Sequence, residues 1–364
     1  QNIDTNPIII GHEFAGDIVE VGAKWKDQFK PGQKFALQPA LNYKGSLASP
    51  GYSYEYFGGA CTYCIIPPEV MELGCLLNYD GESYFEASLG EPMSCIIGGY
   101  HANYHTNKQN YNHAMGTKEN GNILIMGGCG PMGLGAVSYG LYIENKPKRI
   151  VVTDVNDDKI KRAREVISEE MAAEKGIELI YVNTASMENP TKELMELTDG
   201  HGYDDVFVYV PIKEVAEMGD ELLAFDGCLN FFAGPTDHQF KAAINLYNVH
   251  YTSTHIIGTT GGNTDDLKEA ILLSAEKKIE PAVMVTHIGG LDSIAEATLN
   301  LPNIPGGKKL TYTQFDMPLT AIDDFEELGK TDPLFKKLSE SCKKHKGLWN
   351  TEAEKILFEH FGVN

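Results

Sequence analysis

The chain has 364 residues and a mass of 40.1 kDa, enough for two or three domains at about 100–200 residues each. Its 42% apolar and 22% charged residues are typical of a globular protein with a sizeable core. Acidic residues outnumber basic ones by 51 to 30, and the net charge of −21 argues against binding to nucleic acid or to an anionic membrane surface.

Two further features bear on where the protein works. No apolar run reaches the roughly 18–20 residues of a membrane span. The seven cysteines are odd in number and scattered, so a secreted disulfide framework is not expected. We therefore predict a reduced, cytoplasmic protein.

The chain begins at Gln1 without a Met or a signal-peptide pattern, and it reaches the apolar run Pro7-Ile8-Ile9-Ile10 almost at once. A domain seldom buries a strand so soon after its start, so we expect further residues before Gln1. Residues 8–70 combine short apolar runs with many glycines and no long helical pattern. This composition predicts a β-rich unit with long loops.

This first region contains Gly11-His12-Glu13-Phe14-Ala15-Gly16, a turn ahead of a predicted strand. His12 and Glu13 are neighbours that could offer nitrogen and oxygen to one metal ion, although such a pair is more often a hydrogen-bonded surface turn. Further on, Gly90-Glu91-Pro92-Met93-Ser94 precedes a predicted helix of small residues over 95–102. By itself, Glu91 there is a carboxylate favoured by the helix dipole.

The middle of the chain alternates short apolar runs with polar helical patterns, among them 157–174 and 213–224. This alternation predicts a doubly wound parallel sheet covered on both faces, an α/β fold. Its six predicted strands are Asn122–Met126, Arg149–Val155, Glu178–Val182, Asp205–Val210, Cys228–Phe232 and Tyr251–Ile257. Residues 264–364 are predicted to be mostly helical.

The strongest local motif is Gly128-Cys129-Gly130-Pro131-Met132-Gly133, directly after the first of these strands. Glycines at this spacing allow a tight turn, close approach of a pyrophosphate, and close packing of helix on strand. Asp154 ends the next strand about 20 residues further on, where a carboxylate accepts hydrogen bonds from an adenosine ribose. We predict a dinucleotide site that prefers NAD, while Lys159 and Arg162 nearby keep NADP as the less favoured alternative.

The His12, Glu91 and glycine motifs, in this order, resemble the medium-chain zinc-dependent dehydrogenases. Phe57-Gly-Gly-Ala-Cys-Thr-Tyr63 is similar to a family strand that ends in Tyr, and Gly306-Gly307-Lys308 to the family's closing section. Glu91 in place of a Cys resembles the sorbitol dehydrogenase branch. The long inserts and the tail after Leu319 are most similar to L-sorbose 1-phosphate reductases.

The resemblance implies two domains: a GroES-like catalytic domain over residues 1–94 and 262–364, and a Rossmann-type dinucleotide domain over 95–261. It implies that His12 is a catalytic zinc ligand, that Glu13 is a ligand or a carboxylate just beyond the ligands, and that Glu91 is a ligand or a carboxylate that holds the zinc-bound water. It implies cofactor binding by Gly128, Gly130, Pro131, Met132, Gly133 and Asp154.

The chain departs from the family pattern in two places. The family's first zinc ligand, a Cys ahead of the Gly-His-Glu turn, is absent from the ten residues before Gly11, so we expect it upstream of residue 1. The cysteine-rich lobe of a structural zinc is also missing. Residues 40–58 carry Tyr43, Tyr52, Tyr54 and Tyr56 instead, which either line a sugar pocket or pack the loop. We therefore expect no structural zinc.

Other chemically capable residues receive weaker predictions. Cys61 and Cys64 are three positions apart, which in a strand directs them to opposite faces, so a metal site there is not favoured. His101 is a minor candidate for the cleft, and His287 is expected to be structural. Cys129 is expected only to pack within the glycine turn, and the acidic run 323–327 to be a solvated helix face.

Together these features predict a zinc-dependent oxidoreductase that transfers hydride between a nicotinamide cofactor and a sugar alcohol or ketose. A ketose 1-phosphate is one form of that substrate, with Lys44 a loose candidate for its phosphate. The alternative is a metal-free dinucleotide-binding module that has lost its catalysis. The resemblance further implies a homodimer or homotetramer formed through the last strand of the sheet.

Overall fold

The computed structural model describes residues 5–107 and 110–363, and for Asn107 it describes the backbone alone. The chain divides into two compact units. Unit 1 comprises residues 1–94 and 262–364, and unit 2 comprises residues 95–261. Among the described residues, no helix is both long enough and apolar enough to cross a membrane.

The first part of unit 1 is a small antiparallel sheet with long loops. Three strands lie in the order β1-β2-β3, and a buried cluster that includes Phe35, Leu37 and Phe57 packs against them. Helix α2 starts in this unit and runs across the boundary at Ser94/Cys95. The elements are β1 (Ala15–Asp17), β2 (Lys34–Leu37), α1 (Pro68–Glu72), β3 (Leu76–Asn78) and α2 (Tyr84–Ala102).

Unit 2 is built on a six-stranded parallel sheet in the order β11-β10-β9-β6-β7-β8. Its central strands are buried on both faces, which explains their nearly continuous apolar sequence. The elements are the hairpin β4 (Tyr104–Asn107) and β5 (Asn112–Met115), then β6 (Asn122–Met126), α3 (Pro131–Gly140), β7 (Arg149–Asp154), α4 (Asp157–Val166), α5 (Glu169–Ala173), β8 (Glu178–Asn183), α6 (Pro190–Glu196), β9 (Tyr203–Val208), α7 (Lys213–Glu221), β10 (Leu223–Phe231), α8 (Leu246–Tyr251) and β11 (His255–Gly258).

The α/β fold and its parallel sheet are confirmed, with corrections at several boundaries, including β9 (Tyr203–Val208) and β10 (Leu223–Phe231), which both start earlier than predicted. The last strand begins at His255 rather than Tyr251, because the Asn245 side chain accepts bonds from the amides of Tyr247 and Asn248 and starts helix α8 there. The helix predicted over 157–174 is broken in two, because the Ser168 side chain caps a new helix.

Residues 264–364, the last part of unit 1, were predicted to be mostly helical, but they contain three strands as well as helices. Strands β12 and β13 pair in parallel, and β14 joins β12 antiparallel. The elements are α9 (Thr264–Ala275), β12 (Val285–Gly290), α10 (Ile294–Asn300), β13 (Lys308–Tyr312), β14 (Thr320–Ala321), α11 (Phe325–Leu328), α12 (Pro333–Lys344) and α13 (Thr351–Phe361).

A buried network ties the end of the chain to the start of helix α2. The carboxylate of Glu354, on α13, accepts hydrogen bonds from the amides of Tyr84 (2.8 Å) and Phe85 (3.0 Å) and from the Tyr312 hydroxyl (2.7 Å). The indole of Trp349 donates to the same hydroxyl at 2.8 Å. The first amides of a helix lack partners within it, so Glu354 satisfies two of them from another element.

A second buried polar cluster joins the hairpin β4–β5 to strand β10. His105 Nδ1 lies 2.9 Å from the Asp226 carbonyl oxygen, and His105 Nε2 lies 3.4 Å from Asp205 Oδ1. The Thr106 hydroxyl also bonds the Asp226 carboxylate at 2.5 Å. Burial lowers the pKa of His105, but the bonds and charges of Asp205 and Asp226 outweigh burial and raise this pKa overall.

This raised pKa predicts a pH-dependent stability. Protonated His105 is favoured by folding, so its stabilising contribution is complete below the ordinary pKa of 6.5 and is lost as pH rises through the folded-state pKa. We expect the free-energy difference between wild type and His105→Gln to be largest below about pH 6 and to shrink as the pH rises above 6.5, measured by urea unfolding. A difference that grows as the pH rises would contradict the assigned contacts.

Candidate functional site

The backbone that presents His12 is tightly enclosed. Gly11 adopts the left-handed conformation at φ +89°, and its carbonyl oxygen accepts a bond from the Gly59 amide at 2.8 Å. A Cβ at Gly51, opposite, would lie 2.6 Å from the Gly11 carbonyl carbon. Only glycine fits at that position, and the enclosure fixes where the His12 side chain starts.

Glu91 lies in the middle of helix α2, which starts at Tyr84. The prediction that Glu91 precedes a helix starting at Cys95 is therefore wrong, and so is the helix-dipole interpretation of its carboxylate. Proline usually marks a helix start, whereas Pro92 lies inside α2. The Glu91 residue is buried, with 7% of its surface exposed.

His12, Glu13 and Glu91 come together in unit 1. Each offers one metal-ligating atom, and these three atoms lie within 4.8 Å of one another. Among the described residues, no other group of three or more His, Cys, Asp or Glu side chains has such an arrangement. One imidazole nitrogen with carboxylate oxygens is a donor set that zinc accepts. Burial lowers the pKa of His12, which favours the neutral imidazole that binds a metal.

Lys308 is a site residue to which the sequence analysis gave no role. Its ammonium lies 2.6 Å from both carboxylate oxygens of Glu13, and both side chains are largely shielded from solvent. Glu13 Oε1 lies 3.9 Å from His12 Nε2. The Gly306-Gly307-Lys308 segment was the only available signal, because the two partners are 295 residues apart in sequence.

A cavity of about 1470 Å³ opens beside these residues within unit 1, lined in part by His12, Glu13, Tyr52 and Lys308. The Tyr52 ring centre lies 5.0 Å from that of His12. Burial and the charges of Glu13 and Glu91 raise the pKa of Tyr52, so its hydroxyl stays protonated. Tyr52 can therefore donate a hydrogen bond into this cavity.

The other tyrosines of this loop have different surroundings. Tyr43 and Tyr54 donate hydrogen bonds to Glu72 and Glu69 on helix α1, and both pack the loop. Tyr56 is 61% exposed. The sequence left open whether these tyrosines line a sugar pocket or pack the loop. Of the four, Tyr52 alone lines the cavity.

Residues 57–66 form no strand, contrary to the strand predicted for Phe57–Tyr63. The argument that Cys61 and Cys64 face opposite sides fails with it, because both lie in an irregular segment, where the Cys61 thiol donates to the Gly58 carbonyl at 3.3 Å. His101, in unit 2, is exposed and its Nε2 lies 3.3 Å from the Tyr139 hydroxyl. His287 lies on β12, with its Nδ1 2.9 Å from the Thr286 hydroxyl.

In unit 2 the glycine turn lies between β6 and α3. The Gly128 amide donates to the Thr153 carbonyl at 2.8 Å, which joins the turn to the end of β7. A Cβ at Gly133 would lie 2.4 Å from the Gly128 Cα. Gly130 precedes Pro131, the first residue of α3, so the helix amides at Met132 and Gly133 start at this turn.

Two neighbours complete this turn. Asp154 is the last residue of β7, and its Oδ1 accepts bonds from the amides of Val155 (2.8 Å) and Asn156 (3.2 Å). This carboxylate is thereby oriented at the same sheet edge as the glycine turn. Cys129 is buried in the turn, and burial raises the pKa of its thiol to about 12.

Sequence comparison identifies the family of both units. Residues 2–76 match the alcohol dehydrogenase GroES-like domain, and residues 131–276 match the zinc-binding dehydrogenase family. A mannitol-1-phosphate 5-dehydrogenase of Aliivibrio fischeri is 53% identical over 364 residues, covering 100% of this chain and 86% of the relative. An L-sorbose 1-phosphate reductase of Klebsiella pneumoniae is 45% identical over 360 residues, covering 99% of this chain and 84% of the relative.

Comparison of structures agrees on the fold. The 2R,3R-butanediol dehydrogenase of Bacillus subtilis superposes with a TM-score of 0.63 at 20% identity, covering 81% of this chain and 78% of that one. The family implies zinc and a nicotinamide dinucleotide, and both units carry residues of the chemical types that such groups require. The chain is a member of the zinc-dependent medium-chain alcohol dehydrogenase family, an oxidoreductase with a GroES-like and a Rossmann-type domain.

Proposed function

We propose that this protein interconverts a sugar-alcohol phosphate and the corresponding ketose phosphate with NAD(H). The observation that carries the proposal is the identity of 53% and 45%, over nearly the whole chain, to relatives named for mannitol 1-phosphate and L-sorbose 1-phosphate. No observation on the described residues favours the metal-free alternative.

In this proposal His12 and Glu91 hold a catalytic zinc ion. Bound zinc acts as a Lewis acid that polarises the ketose carbonyl or stabilises the alkoxide of the alcohol. Because Lys308 pairs with both carboxylate oxygens of Glu13, we assign Glu13 to the outer shell, where it balances charge next to His12. The cysteine ligand expected upstream of residue 1, and the lack of a structural zinc, stay predictions.

The cavity supplies the polar groups that a phosphorylated sugar requires. The Tyr52 hydroxyl can orient a sugar hydroxyl next to His12. Lys308 and Lys309 are the basic side chains among the residues that line the cavity, whereas Lys44 lies outside that lining. Lys308 is already paired with the Glu13 carboxylate, whereas the Lys309 ammonium donates to the Pro305 and Gly307 carbonyls at 2.8 and 2.7 Å and has no carboxylate partner among the described residues. We therefore assign the phosphate to Lys309.

The substrate assignment is tested by steady-state kinetics of the full-length enzyme. Mannitol 1-phosphate with NAD and L-sorbose 1-phosphate with NADH are compared with the same sugars lacking the phosphate. The proposal predicts turnover that a zinc chelator abolishes, with kcat/KM at least about 10-fold higher for the phosphorylated forms, since a charge-assisted hydrogen bond contributes about 1.5–3 kcal/mol. Equal or better turnover of the unphosphorylated sugars contradicts it.

Within the Rossmann-type domain, we propose that Asp154 accepts hydrogen bonds from the ribose diol and so selects NAD over NADP. Asp154→Ala should lower kcat/KM for NAD by about 10–100-fold and shift the NAD to NADP ratio toward NADP, because hydrogen bonds to a charged group are lost. Asp158→Asn, an exposed neighbour on α4, is the matched control and should leave the ratio unchanged. If the NAD to NADP ratio is unchanged in Asp154→Ala, another residue sets the cofactor preference and the proposal is contradicted.

We also propose that the enzyme is a cytoplasmic homo-oligomer. The edge strand β11 and the adjoining helix α8 expose apolar side chains that include Leu246, Tyr247, Tyr251 and Ile256. An exposed sheet edge with apolar neighbours favours pairing with a second copy. Light scattering after gel filtration should give a dimer or tetramer for the wild type and smaller particles for Ile256→Glu. A wild-type monomer would contradict the proposal.

A further inference from the structure

Lys308 is the first residue of strand β13, and its backbone position is tightly fixed. The preceding Gly307 donates its amide to the Thr286 hydroxyl at 2.8 Å, and a Cβ at Gly307 would lie 2.2 Å from the Met284 carbonyl oxygen. Lys308 itself pairs with strand β12. The base of the Lys308 side chain therefore has little freedom to move away from Glu13.

The contact between Lys308 and Glu13 is a charge pair that is shielded from most of the solvent. The ammonium lies 2.6 Å from both carboxylate oxygens, and the exposed fractions of the two side chains are 19% for Lys308 and 30% for Glu13. When one partner of a shielded pair is removed, the other charge is left uncompensated. Without Lys308, the Glu13 carboxylate would therefore favour contact with another cation.

A metal ion in the neighbouring cluster would be that cation. The ligating atoms of His12, Glu13 and Glu91 lie within 4.8 Å of one another. Nitrogen and oxygen ligands lie about 2.0–2.2 Å from zinc, so two ligand atoms on one ion are at most about 4.4 Å apart. A small rotation of the Glu13 side chain is thus enough to add its carboxylate to an ion held by His12 and Glu91. The added ligand would occupy a position that a catalytic zinc keeps for water or substrate.

We propose that Lys308 is a positioning residue that holds the Glu13 carboxylate off the metal and so keeps one coordination position open for the substrate oxygen. This inference rests on the proposed function, because it takes His12 and Glu91 as the zinc ligands. It adds that Glu13 becomes an internal competitor for the open position when Lys308 is lost. Lys308 acts only through Glu13, so its effect disappears when the Glu13 carboxylate is removed.

The test is imidazole binding to the full-length enzyme loaded with cobalt(II) in place of zinc, followed by the visible absorption of cobalt. Imidazole binds at an open coordination position and is uncharged at about pH 8. Lys308→Met should bind it at least about 10-fold more weakly than wild type, because the charge-assisted bond that restrains Glu13 is lost. Lys308→Arg can pair bidentately with a carboxylate and should bind imidazole like wild type. Lys24→Met, at an exposed pair with Glu72, is the control and should also match wild type.

A double variant separates this role from a general effect of losing a lysine. In the Glu13→Gln background no carboxylate at position 13 can move onto the metal, so adding Lys308→Met should leave the imidazole affinity unchanged. If Lys308→Met does not fold, as judged by circular dichroism, Lys308→Gln takes its place and should show a smaller weakening, because it keeps a neutral donor. The inference is overturned if loss of Lys308 leaves imidazole binding at the wild-type value, or weakens it equally in both backgrounds. Failure of the proposed function would appear differently, as cobalt that His12→Ala retains.

Discussion

His12→Ala is expected to reduce kcat/KM by about 1000-fold and to remove the bound zinc. The physical reason is that His12 is the one nitrogen donor of the cluster formed with Glu13 and Glu91. Lewis-acid stabilisation contributes several kcal/mol to a transition state, and a loss of about 4 kcal/mol corresponds to about 1000-fold in rate. Steady-state kinetics and zinc content by mass spectrometry measure the two effects.

Two further variants make this prediction specific. His360→Ala replaces an exposed histidine on α13 of the same unit and should leave both zinc content and kcat/KM unchanged. Glu13→Gln should retain measurable zinc and lose only about 10–100-fold in zinc affinity or activity, as outer-shell partners do. A His12→Ala enzyme that keeps its zinc would show that the metal is held elsewhere.

Glu354→Ala should lower the free energy of unfolding by at least about 3 kcal/mol. The substitution removes the acceptor of two buried donors, the Phe85 amide and the Tyr312 hydroxyl, and of one partly buried donor, the Tyr84 amide. Each such group costs about 1–3 kcal/mol when unsatisfied. The loss is a large fraction of the roughly 5–15 kcal/mol that typically stabilises a protein. Urea unfolding followed by circular dichroism provides the measurement.

The controls for this prediction lie on the same helix. Glu352 pairs with Lys344 at the surface, and Glu352→Ala should leave the unfolding midpoint where it is in wild type. Glu354→Gln keeps one acceptor oxygen, so its free energy of unfolding should lie between those of wild type and Glu354→Ala. If Glu352→Ala and Glu354→Ala destabilise equally, the buried network does not have the role assigned to it.

The stability prediction also bears on the site. Glu354 fixes the first amides of α2, and the same helix carries Glu91 two turns further on. A frayed start of α2 should therefore weaken zinc retention before the rest of unit 1 unfolds. Zinc release measured along the urea titration should precede the loss of helical signal in Glu354→Ala and coincide with it in wild type.

The sequence predicts well where local pattern and structure coincide. Strand β6 has the predicted bounds Asn122–Met126, because its apolar run is short and bordered by polar residues and glycine. The glycine turn after this strand is also predictable from sequence, because its glycine spacing reflects contacts over only a few residues, such as that between Gly128 and Gly133.

The features that sequence could not predict depend on distant contacts or on local exceptions. The pairing of Lys308 with Glu13 spans 295 residues, and no local pattern encodes it. Helix α2 starts at Tyr84, well before the predicted start at Cys95, and continues through Pro92 against the usual preference of proline. The turn at Cys61–Cys64 exists because Gly59 and Ala60 bond to Ile10 and Gly11 rather than continuing a regular strand.

Anomalous diffraction at the zinc absorption edge, from crystals of the full-length enzyme grown with zinc, locates the metal relative to His12, Glu13 and Glu91. We expect a peak between the His12 imidazole and the Glu91 carboxylate, with the Glu13 carboxylate still paired with Lys308. A peak at Cys61 and Cys64 instead, or none near His12, would contradict the assignment of this cluster as the catalytic zinc site.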